Sequence, residues 1–117
     1  MLIVCYPKCS TCKKALKWLA DNDLSFDERN IKEERPSSDE LKKWISLSAL
    51  PVRKFFNTSG LLYREMQLKE KLSGMSDEEM ISLLSSDGML VKRPILINEE
   101  TVLVGFKEDS WKEMLLK

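Results

Sequence analysis

Val4-Cys5-Tyr6-Pro7-Lys8-Cys9-Ser10-Thr11-Cys12-Lys13-Lys14 follows a short apolar run, Leu2-Ile3-Val4, and precedes Ala15, Leu16, Trp18 and Leu19, which recur at helical spacing. The pattern predicts a buried strand over Leu2 to Cys5. It predicts a helix over Ser10 to Asn22, closed by the polar turn Asp21-Asn22-Asp23. Cys9 then stands at or just before the first helical turn, with Cys12 one turn later, close enough for a disulfide. Unpartnered N–H groups at a helix start favour negative charge. A thiol there loses its proton more readily, and the thiolate is the reactive form. Lys8, Lys13 and Lys14 add positive charge nearby.

The chain of 117 residues suits one domain with a modest core, and its 43% apolar and 32% charged content is that of a globular protein. Nineteen Lys and Arg balance nineteen Asp and Glu, so the formal charge is zero. A direct nucleic-acid partner, which needs a basic surface, is not expected. The run from Met1 to Tyr6 is too short for a signal peptide or a bilayer span, so no membrane partner is expected and a cytoplasmic location is. Stable structural disulfides are rare in that compartment. Cys5, Cys9 and Cys12 therefore point to chemistry rather than stapling.

The absence of histidine excludes Ser-His-Asp and Cys-His mechanisms. With Cys5 as the only further cysteine, too few ligands remain for a structural zinc, and no metal is expected. Two readings of Cys9 and Cys12 stand, a nucleophile with its resolving thiol or two inert thiols. The polar, lysine-rich neighbours favour the first. Cys5 reads as a buried structural thiol, with a backup resolving role as its other reading.

Leu24 to Ile31 reads as a second strand, with Leu24, Phe26, Glu28 and Asn30 on one side of the pleat, completing a βαβ unit. After Glu33-Glu34-Arg35-Pro36, Ser37-Ser38-Asp39-Glu40 fits a capping box for a helix to about Ser46. Pro51 suits the first turn of a short helix to Phe56, and Asn57-Thr58-Ser59-Gly60 is a turn. Tyr63 to Leu72 reads as one helix. Ser76-Asp77-Glu78-Glu79 caps another, whose apolar face holds Met80, Ile81, Leu83 and Leu84. Ser86-Asp87-Gly88 turns the chain. Ile95-Leu96-Ile97 and Thr101-Val102-Leu103-Val104, split by the three polar residues Asn98-Glu99-Glu100, form a hairpin. Gly105 ends it, and Glu108 to Leu116 is a last helix with Trp111, Met114 and Leu115 inward. Trp18, Trp44 and Trp111 read as core, and Arg53, Lys54, Tyr63 and Arg64 as helix surface or a cleft border.

The order βαβ, helices, ββα, with CxxC at the first strand–helix junction, reads as an α/β thioredoxin-like fold. It has a mixed four-stranded sheet and a helical insertion over about 37–86. In that fold the proline of Arg93-Pro94 is expected to be cis and to face the active cysteine, leaving Arg93 to hold an anion or to favour the Cys9 thiolate. Backbone N–H groups of Ser10, Thr11 and Cys12 would cradle an anion at the helix start. Thr11 equally reads as a capping hydroxyl.

Tyr6-Pro7-Lys8-Cys9-Ser10-Thr11-Cys12-Lys13-Lys14-Ala15, Lys92-Arg93-Pro94-Ile95 and Val104-Gly105-Phe106 resemble the arsenate reductase (ArsC)/Spx family, over residues 1–117 as one domain. The likeness is closest to small ArsC-like proteins of Gram-positive bacteria, which share Phe55-Phe56-Asn57-Thr58-Ser59-Gly60 and Ser86-Asp87-Gly88-Met89-Leu90. The resemblance implies a thiol–disulfide oxidoreductase with Cys9 and Cys12 catalytic, and Ser10, Thr11, Arg93 and Pro94 at the substrate. That substrate would be a small oxyanion such as arsenate, or a disulfide. No resident cofactor is implied, and an external thiol reductant (glutathione/glutaredoxin or thioredoxin) would serve as redox partner. Of the reductases' three oxyanion arginines only Arg93 transfers, the others falling on Asn57 and near Gly105; the family histidine falls on Cys5. The alternative is an Spx-like redox-sensing regulator that binds RNA polymerase. Its contact glycine falls around Ala49, and Leu47 to Asn57 contains no glycine.

Overall fold

Isoleucine and cysteine at Ile3 and Cys5 alternate with Val4, so the first strand must bury both of its faces. In the computed structural model, which describes residues 1–116, this strand (β1, Leu2–Cys5) lies inside a four-stranded sheet. The order is β2 (Asp27–Asn30), β1, β3 (Ile95–Asn98) and β4 (Thr101–Val104). β1 runs parallel to β2 and antiparallel to β3, and β3 antiparallel to β4, so the sheet is mixed. The thioredoxin-like arrangement holds.

Each face carries one apolar cluster. Ile3, Cys5 and Leu96 face Cys12, Ala15, Trp18 and Leu19 of α1 (Ser10–Asp21) and Trp111 of α6 (Glu108–Leu115). Trp111 packs edge-on against Phe106 and Trp18, with centroids 4.9 and 6.1 Å away, and its indole N–H donates to the Gly105 carbonyl at 3.1 Å. Val4, Ile95 and Val102 face the other cluster, which the helical insertion supplies through Leu41, Trp44, Phe55, Phe56, Leu68, Leu84 and Leu90. All three tryptophans are core residues.

Two capping boxes start the long helices of the insertion. Ser37 and Glu40 exchange side-chain and backbone bonds at the head of α2 (Ser38–Ser48), as Ser76 and Glu79 do at the head of α5 (Asp77–Ser86). Glu40 also receives a forked pair from Arg29 of β2, at 2.6 and 2.9 Å. This Arg29 hydrogen bond, with the Ser37 N–H and the guanidinium charge, draws the Glu40 carboxyl down to about 2 against the resistance of burial.

Several elements differ from the sequence reading. β2 is half the predicted length, because Asp23 (φ +55) and the Leu24 N–H are spent closing α1 against the Ala20 and Leu19 carbonyls. Leu24 and Phe26 still pack toward α1, while Glu28 is exposed. Pro51 precedes its short turn (Val52–Phe55) in extended geometry instead of starting it. One turn is all the chain can make there, since Phe56 bridges to Val91 through Asn57 N–H to Leu90 and Lys92 N–H to Phe55.

The single helix predicted over Tyr63 to Leu72 is two, α3 (Leu61–Glu65) and α4 (Leu68–Lys71), with Gln67 between them at φ +55. The break lets Leu68 and Leu72 enter the core while Arg64 stays exposed. The hairpin turn holds two residues, not three, because Asn98 pairs with Thr101. α6 stops at Leu115, and Met114, expected inward, is 47% exposed because Trp111 already fills the space beneath the helix.

Gly88 is buried against the Ile31 carbonyl, so a Cβ there would collide with backbone that has no room to yield. Gly88→Ala is expected to lose about 3 kcal/mol in denaturant unfolding, at the upper end of overpacking costs. Glu40 has a folded-state value below its ordinary 4.5, so its contribution to stability is complete above that pH. It disappears as pH falls toward 2. Glu40→Gln is expected to flatten the unfolding midpoint across that window, read as midpoint against pH for both proteins.

Candidate active site

Pro7 sits in a tight turn in which the Cys9 N–H donates to the Tyr6 carbonyl at 3.0 Å. The turn sets Cys9 down as the N-cap residue of α1, in extended geometry (φ −88, ψ 123). Its side chain caps nothing and is half-buried. Ser10, Thr11 and Cys12 occupy the first turn, where no helix carbonyl reaches their N–H groups.

Cys12 faces inward and has no solvent exposure. Its sulfur accepts the Tyr6 N–H at 3.4 Å. Cys5 reaches the same spot from the end of β1. The Cys5 thiol bonded to Cys12 is the strongest influence lowering the Cys12 proton affinity; burial opposes it, and the Tyr6 N–H, Cys9 and the Arg93 charge assist. Cys5 moves the opposite way, held protonated by the Cys12 sulfur and by its own burial. The surroundings thus favour the thiolate at Cys12 and disfavour it at Cys5. Sequence reasoning favours a thiolate at the helix-starting Cys9 and reads Cys5 as a buried thiol, structural or a backup resolver; Cys5 is buried, and its contact with Cys12 is the new element. The signal for Cys5 was there: strand alternation aims it with Ile3 at α1, and Cys12, Ala15 and Leu19 form the facing helix stripe.

A cleft of about 660 Å³ opens over Cys9. Cys9 and Thr11 form one edge, the Asn57–Gly60 turn with Leu61 and Arg64 another, and Lys92, Arg93 and the Val104–Lys107 segment the rest. The bridge between Phe56 and Val91 brings Asn57 and Lys92 to this rim. The Arg93–Pro94 peptide is cis. The Arg93 guanidinium lies 5.3 Å from the centre of the Tyr6 ring, and its Nη1 stands 3.5 Å from the Met89 carbonyl oxygen. Pro94 is buried, and its carbonyl accepts the Gly105 N–H at 2.8 Å, tying the end of β4 to the cleft.

Of the residues singled out from sequence, Cys9, Thr11 and Arg93 line the cleft, and Cys12 lies directly behind. Ser10 is exposed outside the lining, as are Lys8, Lys13 and Lys14. The cations that do reach the cleft are Arg64, Lys92, Arg93 and Lys107, and its lining holds no carboxylate. Of the two sequence readings of Arg64, helix surface and cleft border, the second holds, while Lys92 and Lys107 have no role in the sequence reading. No pattern marks a lone lysine as cleft-facing until the strands that carry it are placed.

Among the described residues, no group of three or more His, Cys, Asp or Glu side chains is placed to hold a metal ion. Nor, among the described residues, is any helix long and apolar enough to cross a membrane.

The ArsC family model matches residues 5–114. The uncharacterised protein YusI of Bacillus subtilis is 54% identical over 108 residues, which cover 92% of each chain. The global transcriptional regulator Spx of Lactiplantibacillus plantarum is 28% identical over 109 residues, 93% of this chain and 81% of its own. Among solved structures, an ArsC-family-related protein of Bacteroides fragilis superposes with a TM-score of 0.93 at 51% identity, over 97% of both chains. With residues 5–114 matched by the family model and a relative 54% identical over 92% of both chains, the chain belongs to the ArsC family.

Proposed function

We propose that this protein is a thiol–disulfide oxidoreductase in which Cys9 attacks the substrate and Cys12 resolves the adduct. The observation that carries the reading is the division of labour at the first turn of α1. An accessible sulfur opens on a cationic cleft, and a buried sulfur whose surroundings favour its thiolate waits behind it. Cys9 bonds to the substrate. The Cys12 thiolate then attacks the Cys9 sulfur, closes the disulfide and expels the reduced substrate. An external dithiol or small-thiol system returns the protein to its starting state. With arsenate, Cys9 first displaces water at arsenic, and closure of the disulfide delivers two electrons to release arsenite. Arg93 and the first-turn N–H groups of α1 stabilise negative charge during either attack.

A second reading rests on Ala49. This exposed residue ends α2 at φ +58, a left-handed conformation that glycine adopts without cost. The backbone at the place that the Spx resemblance assigns to a polymerase contact thus has glycine's shape, with a methyl added. In this reading the same disulfide switches affinity for RNA polymerase instead of turning over.

Mass spectrometry of the reduced protein after arsenate, oxidised glutathione or hydrogen peroxide separates these outcomes. The enzyme reading expects a Cys9–Cys12 disulfide that cycles repeatedly when a thiol-reducing system is added. Cys9→Ser should abolish the reaction, and Cys12→Ser should trap a mixed disulfide of Cys9 with glutathione. Closure by peroxide alone, without turnover of any substrate, would favour the regulator. If nothing modifies Cys9, both readings fail.

The resolving step has its own pH signature. Because its donors favour the Cys12 thiolate, the closure rate should hold steady to a lower pH than an ordinary thiol allows. Cys5→Ala removes the leading donor and should move the inflection of that rate upward. An unmoved inflection would mean that the Cys5 thiol does not set the state of Cys12.

A further inference from the structure

Gly105 and Lys92 meet in a way the two-thiol chemistry does not require. Gly105 has φ +76, and a Cβ built on it would stand 3.1 Å from Cε and 3.8 Å from Nζ of Lys92. The lysine side chain therefore lies across bare backbone at the edge of the cleft, in space that any larger residue at position 105 would contest. Arg64 enters the same cleft from α3, on the side of the insertion. Neither forms an ion pair: the two such pairs among the described residues join Lys17 with Asp21 and Arg29 with Glu40. Leu61 and Phe106 give the same cleft apolar wall between its charges.

The size of the space argues with the charge. About 660 Å³ lies within the roughly 300–1,000 Å³ of sites that enclose whole small molecules, and a tetrahedral oxyanion would leave most of it filled with water. Cations drawn from separate elements, with apolar wall between them, suit a carbon skeleton that bears several negative groups.

We propose that the cleft binds a small disulfide carrying carboxylates, held by Lys92 and Arg64, and that Cys9 attacks one of its sulfurs. This names the substrate class within the thiol–disulfide reading and rests on it. The Cys9 thiolate attacks R–S–S–R; a Cys9–S–S–R bond forms, and R–S⁻ leaves and takes a proton from water. The Cys12 thiolate then attacks the Cys9 sulfur, and the second R–S⁻ leaves. The disulfide substrate gains two electrons and becomes two thiols, while the protein loses two and holds the Cys9–Cys12 bond. One turnover needs no other reactant.

Three small disulfides of similar size test the charge preference: 3,3′-dithiodipropionate (anionic), bis(2-hydroxyethyl) disulfide (neutral) and cystamine (cationic). The rate of Cys9–Cys12 closure is followed in single turnover by quenched mass spectrometry. Each value is divided by the rate of the same probe with free 2-mercaptoethanol. The anionic probe is expected to exceed the neutral one by about tenfold or more, with cystamine slowest and the gap shrinking in high salt. Lys92→Gln and Arg64→Gln should each narrow the anionic-to-neutral ratio severalfold, and Lys92→Arg should preserve it. Equal normalised rates, or a ratio that survives both Gln variants, overturns the proposal. So does arsenate closing the disulfide with the same Lys92 and Arg64 dependence while the organic probes show no preference, since the cations would then serve an oxyanion. If no probe oxidises Cys9, the thiol–disulfide reading falls with it.

Discussion

A polar sulfur shut away from water has to take its hydrogen bonds from the protein, and Cys12 takes them from the end of β1. The Tyr6 N–H and the Cys5 thiol both come from that strand's exit, so α1 must dock where its first turn meets them. This fixes the pitch of α1 against the sheet, with Ala15 and Leu19 following Cys12 into the same cluster. It also fixes Cys9. As the residue that begins the helix, Cys9 is pushed to the surface by the placement that buries Cys12. The exposed and buried roles of the two thiols follow from one docking constraint.

The other walls of the cleft come from far along the chain. The bridge between Phe56 and Val91 ties the first half of the insertion to the segment that leads into β3. Without it, Asn57 and Lys92 would have no reason to share a rim with Cys9. The Pro94 carbonyl then holds the Gly105 N–H, so the end of β4 closes the remaining side. Trp111 reinforces that corner by donating to the Gly105 carbonyl from beneath α6. Backbone hydrogen bonds thus shape the cleft, and side chains supply its charge.

Local signals were readable where a local rule decides the outcome. Both capping boxes appear as Ser37 to Glu40 and Ser76 to Glu79, because that motif satisfies helix-end donors within four residues of chain. β1, α1 and the β3–β4 hairpin were readable from period alone. The element order and CxxC place the fold, and the sequence motifs single out Cys9, Cys12, Thr11 and Arg93. The misreadings occur where a distant partner overrules the local pattern. Tyr63 to Leu72 has no helix breaker, yet the core's demand for Leu68 and Leu72 splits it at Gln67. Met114 has an apolar side chain on a helical face, but Trp111 has taken the space.

The amino-acid sequence by itself determined the strand–helix junction, the thiol pair and the succession of elements, since each depends on residues within a turn or two of one another. Only the tertiary structure decided which thiol lies buried beside Cys5 and which cations face the other. Cys5 and Cys12 become partners only when α1 lies on β1. Arg64, Lys92 and Lys107, which stand up to 43 residues apart in the chain, become neighbours of Cys9 only when the insertion and the hairpin close around it. Burial and charge act through space, and the distances that set them come into being only when the chain folds.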